Sequence, residues 1–134
     1  MPKSNDKVLL VVAHGSRQQT SNDQIRQLVA RLSAHNDPLY SEILPAFLEF
    51  EEPSITMAIG QQVDKGVREI VVLPYFLANG RHVKEDIPAQ IRISQAQFPD
   101  VNITLAGHLG AAAGMPDLIF KHLLQTASKR GEKQ

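Results

Sequence analysis

The chain has 134 residues, with 14 Lys and Arg against 14 Asp and Glu, 43% apolar and 21% charged residues, and no cysteine. Balanced charge speaks against a nucleic-acid binder, and the missing cysteines exclude disulfides, thiolate metal sites and cysteine nucleophiles. The length predicts a single domain, residues 1–134, able to bury about two-thirds of its unfolded surface.

The N-terminus is polar through Asp6 and no apolar run approaches the roughly 20 residues of a membrane span, so a soluble cytoplasmic chain is expected. Lys7–Ala13, with Val8, Leu9, Leu10, Val11 and Val12, reads as a strand covered on both faces. Ser21 with Gln24 matches a capping box, and Ile25, Leu28, Val29 and Leu32 follow at the spacing of one helical face. Residues 41–48 form a second strand. Pro45 cannot donate to a ladder, which puts that strand at a sheet edge.

Pro53 suits the first turn of a second helix carrying Ile55, Ala58, Ile59 and Val63, and Gly66 is placed to end it. Residues 69–73 make a third strand, closed by Pro74. A helix over about 85–97 turns Ile87 and Ile91 inward, and residues 101–106 make a short fourth strand. Pro116 opens a last helix, where Ile119, Leu123 and Ala127 recur every four residues and Leu118 and Leu124 widen the stripe. The ordered core should run over about 7–127, with a polar, fraying tail. Strands alternating with helices predict an α/β fold: an open parallel four-stranded sheet with helices on both faces.

Ligands of such sheets bind beyond the carboxyl ends of the strands. His14 follows the first strand, Glu49 the second, the run from Tyr75 to His82 the third, and His108 the fourth. Two imidazoles and a carboxylate suit a divalent metal and leave coordination positions open. Taken singly, each has a plain alternative. His14, His82 and His108 also read as ordinary loop residues, and Glu49 with Glu51 and Glu52 also reads as an acidic run that favours a helix N-terminus. His35 and His122 read as structural or solvent-facing. Arg17, Arg81 and Lys84 offer an anion-binding rim or solvated charge, and exposed Phe50, Phe76 or Leu77 would suit a flat organic ligand or a partner subunit.

With Val11-Val12-Ala13-His14-Gly15-Ser16-Arg17, Glu49 ahead of Pro53, and the segment from Leu73 to His82 followed by Asp86-Ile87-Pro88, the chain resembles the short single-domain sirohydrochlorin chelatases of the class II chelatase superfamily. The resemblance runs from about Lys7 to Gln125. It implies a chelatase-like fold and insertion of a divalent metal, cobalt first and iron next, into the tetrapyrrole sirohydrochlorin, for cobalamin or siroheme. It further implies that His14, His82 and Glu49 bind the metal and handle protons. Arg17, Arg81, Phe76 and Leu77 would meet the substrate. Metal would be a substrate with no permanently bound cofactor, and a homodimer is implied, with neither nucleic acid nor membrane as partner. His108 stands where a proline is common in that family, as a third imidazole or a neutral change. Two rivals remain: a non-enzymatic metal or tetrapyrrole carrier, and a histidine phosphatase. The phosphatase pattern places arginine before the histidine, where this chain has Ala13.

Overall fold

Lys7–Ala13 forms β1, the strand on which the sheet is built. In a computed structural model that describes residues 6–35 and 39–132, with the side chains of 82 and 128–132 outside the description, β1 is flanked by β2 (Glu42–Phe47) and β3 (Glu69–Pro74), and β4 (Asn102–Leu105) lies beyond β3. Among the described residues the sheet has the order β2-β1-β3-β4 and every pairing is parallel. Pro45 sits opposite Val11 on β2, which has no neighbour on its other side. Its missing N–H therefore costs the ladder nothing, as expected for an edge strand.

Alternation along the strands builds two faces. Val8, Leu10, Val12, Ala46, Ile70 and Val72 form one core with Ile55, Ala58 and Ile59 of α2 (Ile55–Asp64) and Ile87 of α3 (Ile87–Gln97). Register places Val11, Ala13 and Phe47 on the opposite face, all buried, where α1 (Gln19–Ala34) lies with Val29 buried.

The predicted helices are present, with shifted ends. Gln18 is the N-cap of α1, three residues before the expected cap Ser21, and its side chain makes no capping bond. Pro53 lies outside α2, because Ser54 caps it by accepting the Met57 N–H at 3.2 Å. After α2, Gly66 takes φ +95° and the N–H groups of Gly66 and Val67 bond the carbonyls of Val63 and Gln62, a Schellman closure. A π-helical turn, His82–Asp86, precedes α3, which lengthens the expected helix at its start. A short 3-10 turn, Leu109–Ala111, leads to α4 (Met115–Glu132), whose backbone stays helical past the expected fraying point. The apolar stripe expected on this last helix exists but is exposed: Leu118, Ile119, Leu123 and Leu124 pack into neither core. Among the described residues no helix is long and apolar enough to cross a membrane.

Candidate functional site

The chain leaves β1 toward β2 on one side and returns to β3 on the other, so the sheet has its switch point at the carboxyl end of β1. The ladder continues past the strand ends. Leu48 and Glu49 N–H groups donate to the carbonyls of Ala13 and His14, at 3.1 and 3.0 Å, and the Tyr75 N–H donates to Val12 at 2.8 Å. Three loops are thus drawn against one another.

That backbone clasp brings two of the expected residues together. His14 Nε2 lies 2.5 Å from Glu49 Oε1, with both side chains a little under half exposed. An ionised carboxylate only accepts, so in that form the imidazole donates from Nε2. Gly15 permits the approach: it has φ +91°, and a Cβ there would overlap the Glu49 carbonyl oxygen. His82 begins the π-helical turn beyond β3, and its side chain lies outside the described residues. Among the described residues, three or more His, Asp or Glu side chains do not gather into a metal-holding cluster.

The pair borders two open clefts. One, of about 510 Å³, has His14, Gly15, Tyr75, Phe76 and Leu77 on its walls. The other, of about 320 Å³, is lined by Leu48, Glu49, Asp86, Ala89 and Gln90. Leu77 is 74% exposed, whereas Phe76 is half-buried against the core and shows only part of its surface to the cleft. Arg17 stacks on Phe50, its guanidinium carbon 4.8 Å from the ring centroid. Arg81 is turned to its own helix, with Nε donating to Glu85 Oε2 at 3.1 Å, and both are exposed. His108 is half-buried at the start of the 3-10 turn and lines neither cleft; Lys84, His35 and His122 are exposed.

Two supporting residues, Asn22 and Arg26, were not singled out from sequence. Asn22 is 2% exposed and clamps the loop after His14, accepting the Ser16 N–H at 2.9 Å and donating to the Ser16 carbonyl at 2.8 Å. A poor helix former at a stripe position, three residues before Ile25 and seven before Val29, was the available signal. Arg26 lies over Phe47 and donates to Glu51 Oε2 and to the Glu52 carbonyl, both at 3.1 Å. Asp86 lines the same smaller cleft as Glu49. Phe50 carries φ +67°, an uncommon backbone state for a bulky residue and one found mostly where a site constrains the chain.

Glu51 is the anchor of this loop. Hydrogen bonds from Gln19, from the Glu52 N–H and from Arg26, with the Arg26 charge, hold its carboxyl below the ordinary glutamate value of 4.5. A lowered folded value stabilises the chain above the unfolded value and loses that contribution as pH falls through the folded one. Glu51→Gln should therefore melt below the parent chain at neutral pH. The gap should narrow only below about pH 4.5, which thermal melts across a pH series would read.

The family model CbiX matches residues 8–126. The chain belongs to the CbiX family. Its fold is shared with a solved CbiX protein of cobalamin (vitamin B12) biosynthesis from Marinobacter aquaeolei, 27% identical, at TM-score 0.76 over 92% of this chain and 98% of that one. It is shared also with SirB from Bacillus subtilis, solved with Fe3+: 26% identical, TM-score 0.76, over 87% of this chain but 45% of SirB. A sirohydrochlorin cobaltochelatase of Methanococcus maripaludis is 34% identical over 82 residues, 61% of this chain and 56% of the relative. The chain spans about half the length of the curated relatives it matches. Within the CbiX frame, the His14–Glu49 pair lies where parallel α/β sheets bind their ligands.

Proposed function

We propose that this chain is a sirohydrochlorin chelatase, inserting divalent cobalt, with iron next, into the macrocycle, for cobalamin or siroheme. The observation that carries the reading is the His14–Glu49 pair between two open clefts at the switch point of a CbiX fold. Imidazole and carboxylate suit divalent cobalt and iron, and two half-exposed side chains can part to admit an ion and release it again. A tight cage would defeat a reaction whose metal must leave.

Insertion replaces two pyrrole N–H bonds with metal–nitrogen bonds, so two protons must go to bases or water. His14 and His82 deliver the metal in this reading, and Glu49 shares in metal binding or takes a proton. Arg17, held over Phe50, attracts substrate carboxylates, while Leu77 and the exposed part of Phe76 meet the macrocycle. Arg81 joins them by exchanging Glu85 for a substrate carboxylate. No cofactor stays bound, and a second copy of the chain stands where the longer relatives have their other half. The site belongs to one chelatase-like domain working in the cytoplasm.

Anaerobic absorption spectroscopy of sirohydrochlorin with cobalt or ferrous ion, with and without the chain, tests this. A rate increase that is lost in folded His82→Ala protein supports the chelatase and ranks its metals. Spectral binding without acceleration overturns it in favour of a carrier, and a phosphorylated His14 in favour of a phosphatase.

A further inference from the structure

Each of the two clefts has a wall residue whose main-chain carbonyl is met by a glycine from another loop. At the smaller cleft Gly15 lies against the carbonyl of Glu49. At the larger one Gly110, in the 3-10 turn after β4, lies against the carbonyl of Leu77. The Gly110 N–H also donates to the Phe76 carbonyl at 3.0 Å, so the turn grips two consecutive peptide groups beyond β3. That turn is well tied. Its own bonds run from Ala111 to the His108 carbonyl and from Ala112 to the Leu109 carbonyl, both at 3.0 Å, and the Ala106 N–H holds its approach to Val72 at 2.9 Å.

Space alone demands glycine at 110. The residue lacks the positive φ of Gly15 and Gly66 and sits in a 3-10 turn, a backbone that alanine adopts without strain. A Cβ there would overlap the Leu77 carbonyl oxygen and stand 2.5 Å from the carbonyl carbon and 2.8 Å from the Cα. Non-bonded carbons rest about 3.5–4.0 Å apart, so the Leu77 backbone would have to retreat by about 1 Å. The Leu77 side chain is 74% exposed and has little packing of its own to fix it. Its place on the cleft wall is therefore set by the main chain behind it.

We propose that Gly110 is a positioning residue for the tetrapyrrole: by admitting the Leu77 carbonyl it fixes the apolar wall on which the macrocycle rests. The inference rests on the functional reading only for the identity of that ligand. A flat, rigid ring cannot follow a wall that moves, and a gap of up to about 1 Å already forfeits a quarter to a half of each atomic contact. Gly110 thus acts on the affinity for the macrocycle, and the metal and proton steps at His14 and Glu49 are served by the other glycine clasp.

Insertion kinetics with sirohydrochlorin and metal varied separately test this. Folded Gly110→Ala protein should show a KM for sirohydrochlorin raised about tenfold, with kcat and the metal dependence changed by less than about twofold. Gly107→Ala, in the same loop, places a Cβ that meets nothing within 4 Å and should change neither. Leu77→Ala should raise the same KM, and Gly110→Ala added to it should raise it little further, since two residues acting through one contact are not additive. A lower melting temperature with unchanged KM overturns the proposal, as does a full additive effect in the double variant. If Gly110→Ala does not fold, the unmodified chain decides, because coupling is reciprocal. Saturating sirohydrochlorin should then slow amide exchange at Gly110 at least about fivefold more than at Val67, whose N–H bonds Gln62 at the amino edge of the sheet. Equal slowing overturns the proposal. Affinity is also read from absorbance without metal, so an unmodified chain that binds sirohydrochlorin but inserts no metal sinks the chelatase and still judges Gly110. A chain that binds no sirohydrochlorin overturns both.

Discussion

His14→Ala should lower the rate of metal insertion by about 10²- to 10⁴-fold, the range expected when a positioned proton-transfer group is removed. The same change removes a metal donor, so part of the loss should be recovered at saturating metal while the proton-transfer part persists. Folding should survive. The side chain is nearly half exposed, and the bond from the Glu49 N–H goes to the His14 main-chain carbonyl, which alanine retains. Circular dichroism and insertion kinetics on the same sample separate the two effects. Glu49→Gln refines the result, since the amide preserves the shape and can still meet His14 while the negative charge is gone. A smaller loss, concentrated in the metal-dependence of the rate, would assign Glu49 to metal capture. A loss as large as that of His14→Ala, insensitive to metal concentration, would assign it to the protons. Full activity in folded His14→Ala protein would remove the imidazole from the reaction.

The alternation of short apolar runs with helical stripes was enough to order the elements: β1 is largely buried, β2 and β3 carry the breakers Pro45 and Pro74, and β4 is a short apolar run although it is mostly exposed. Glycine and proline also placed the end of α2, where Gly66 does what a residue with a side chain could do only under strain. What periodicity does not carry is the identity of whatever covers a face. The stripe of α4 is the clearest instance: its spacing announces an apolar arc, yet nothing local says that the arc points away from its own sheet. Helix starts shifted for a related reason. Near the N-terminus of α1 the polar side chains serve a loop, Asn22 clamping Ser16, and a capping motif read along the chain does not reveal that use.

The site was readable to the same depth. Position after a strand put His14 and Glu49 at a common edge, and the structure brings them into contact. Their supports were harder to see, because Arg26, Glu51 and Gln19 meet only through the packing of α1 against the loop beyond β2. Arg81 illustrates the opposite error of scale. Its place beside the site suggested an anion-binding rim or solvated charge, but helical i,i+4 spacing brings it to Glu85, in an exposed pair worth less than about 1 kcal/mol. Such a pair is weak enough to be exchanged for a substrate carboxylate.

Gly15→Ala should be among the most damaging small substitutions in the chain. Two costs combine there. Alanine at φ +91° is strained by about 1–2 kcal/mol, and its Cβ would occupy the space of the Glu49 carbonyl oxygen, a main-chain atom that cannot rotate aside. Relieving the overlap means moving the loop beyond β2 away from β1, against the Arg26 and Glu51 bonds that hold it. Forced displacement of packed structure adds about 1–3 kcal/mol, so a total of about 3 kcal/mol and a melting temperature lower by about 10 °C are expected. Gly66→Ala supplies the control. Gly66 has nearly the same φ, +95°, but an added Cβ meets nothing within 4 Å, so only the conformational part remains. The difference between the two melting shifts measures how hard the Glu49 loop is pressed against His14. If the geometry of that pair is what catalyses insertion, Gly15→Ala protein kept below its melting point should also lose activity, since displacements of about 1 Å can cost 10²-fold, while Gly66→Ala protein keeps it. Equal melting shifts for the two variants would mean that the loop yields freely and that the approach of Glu49 to His14 is not enforced by the backbone.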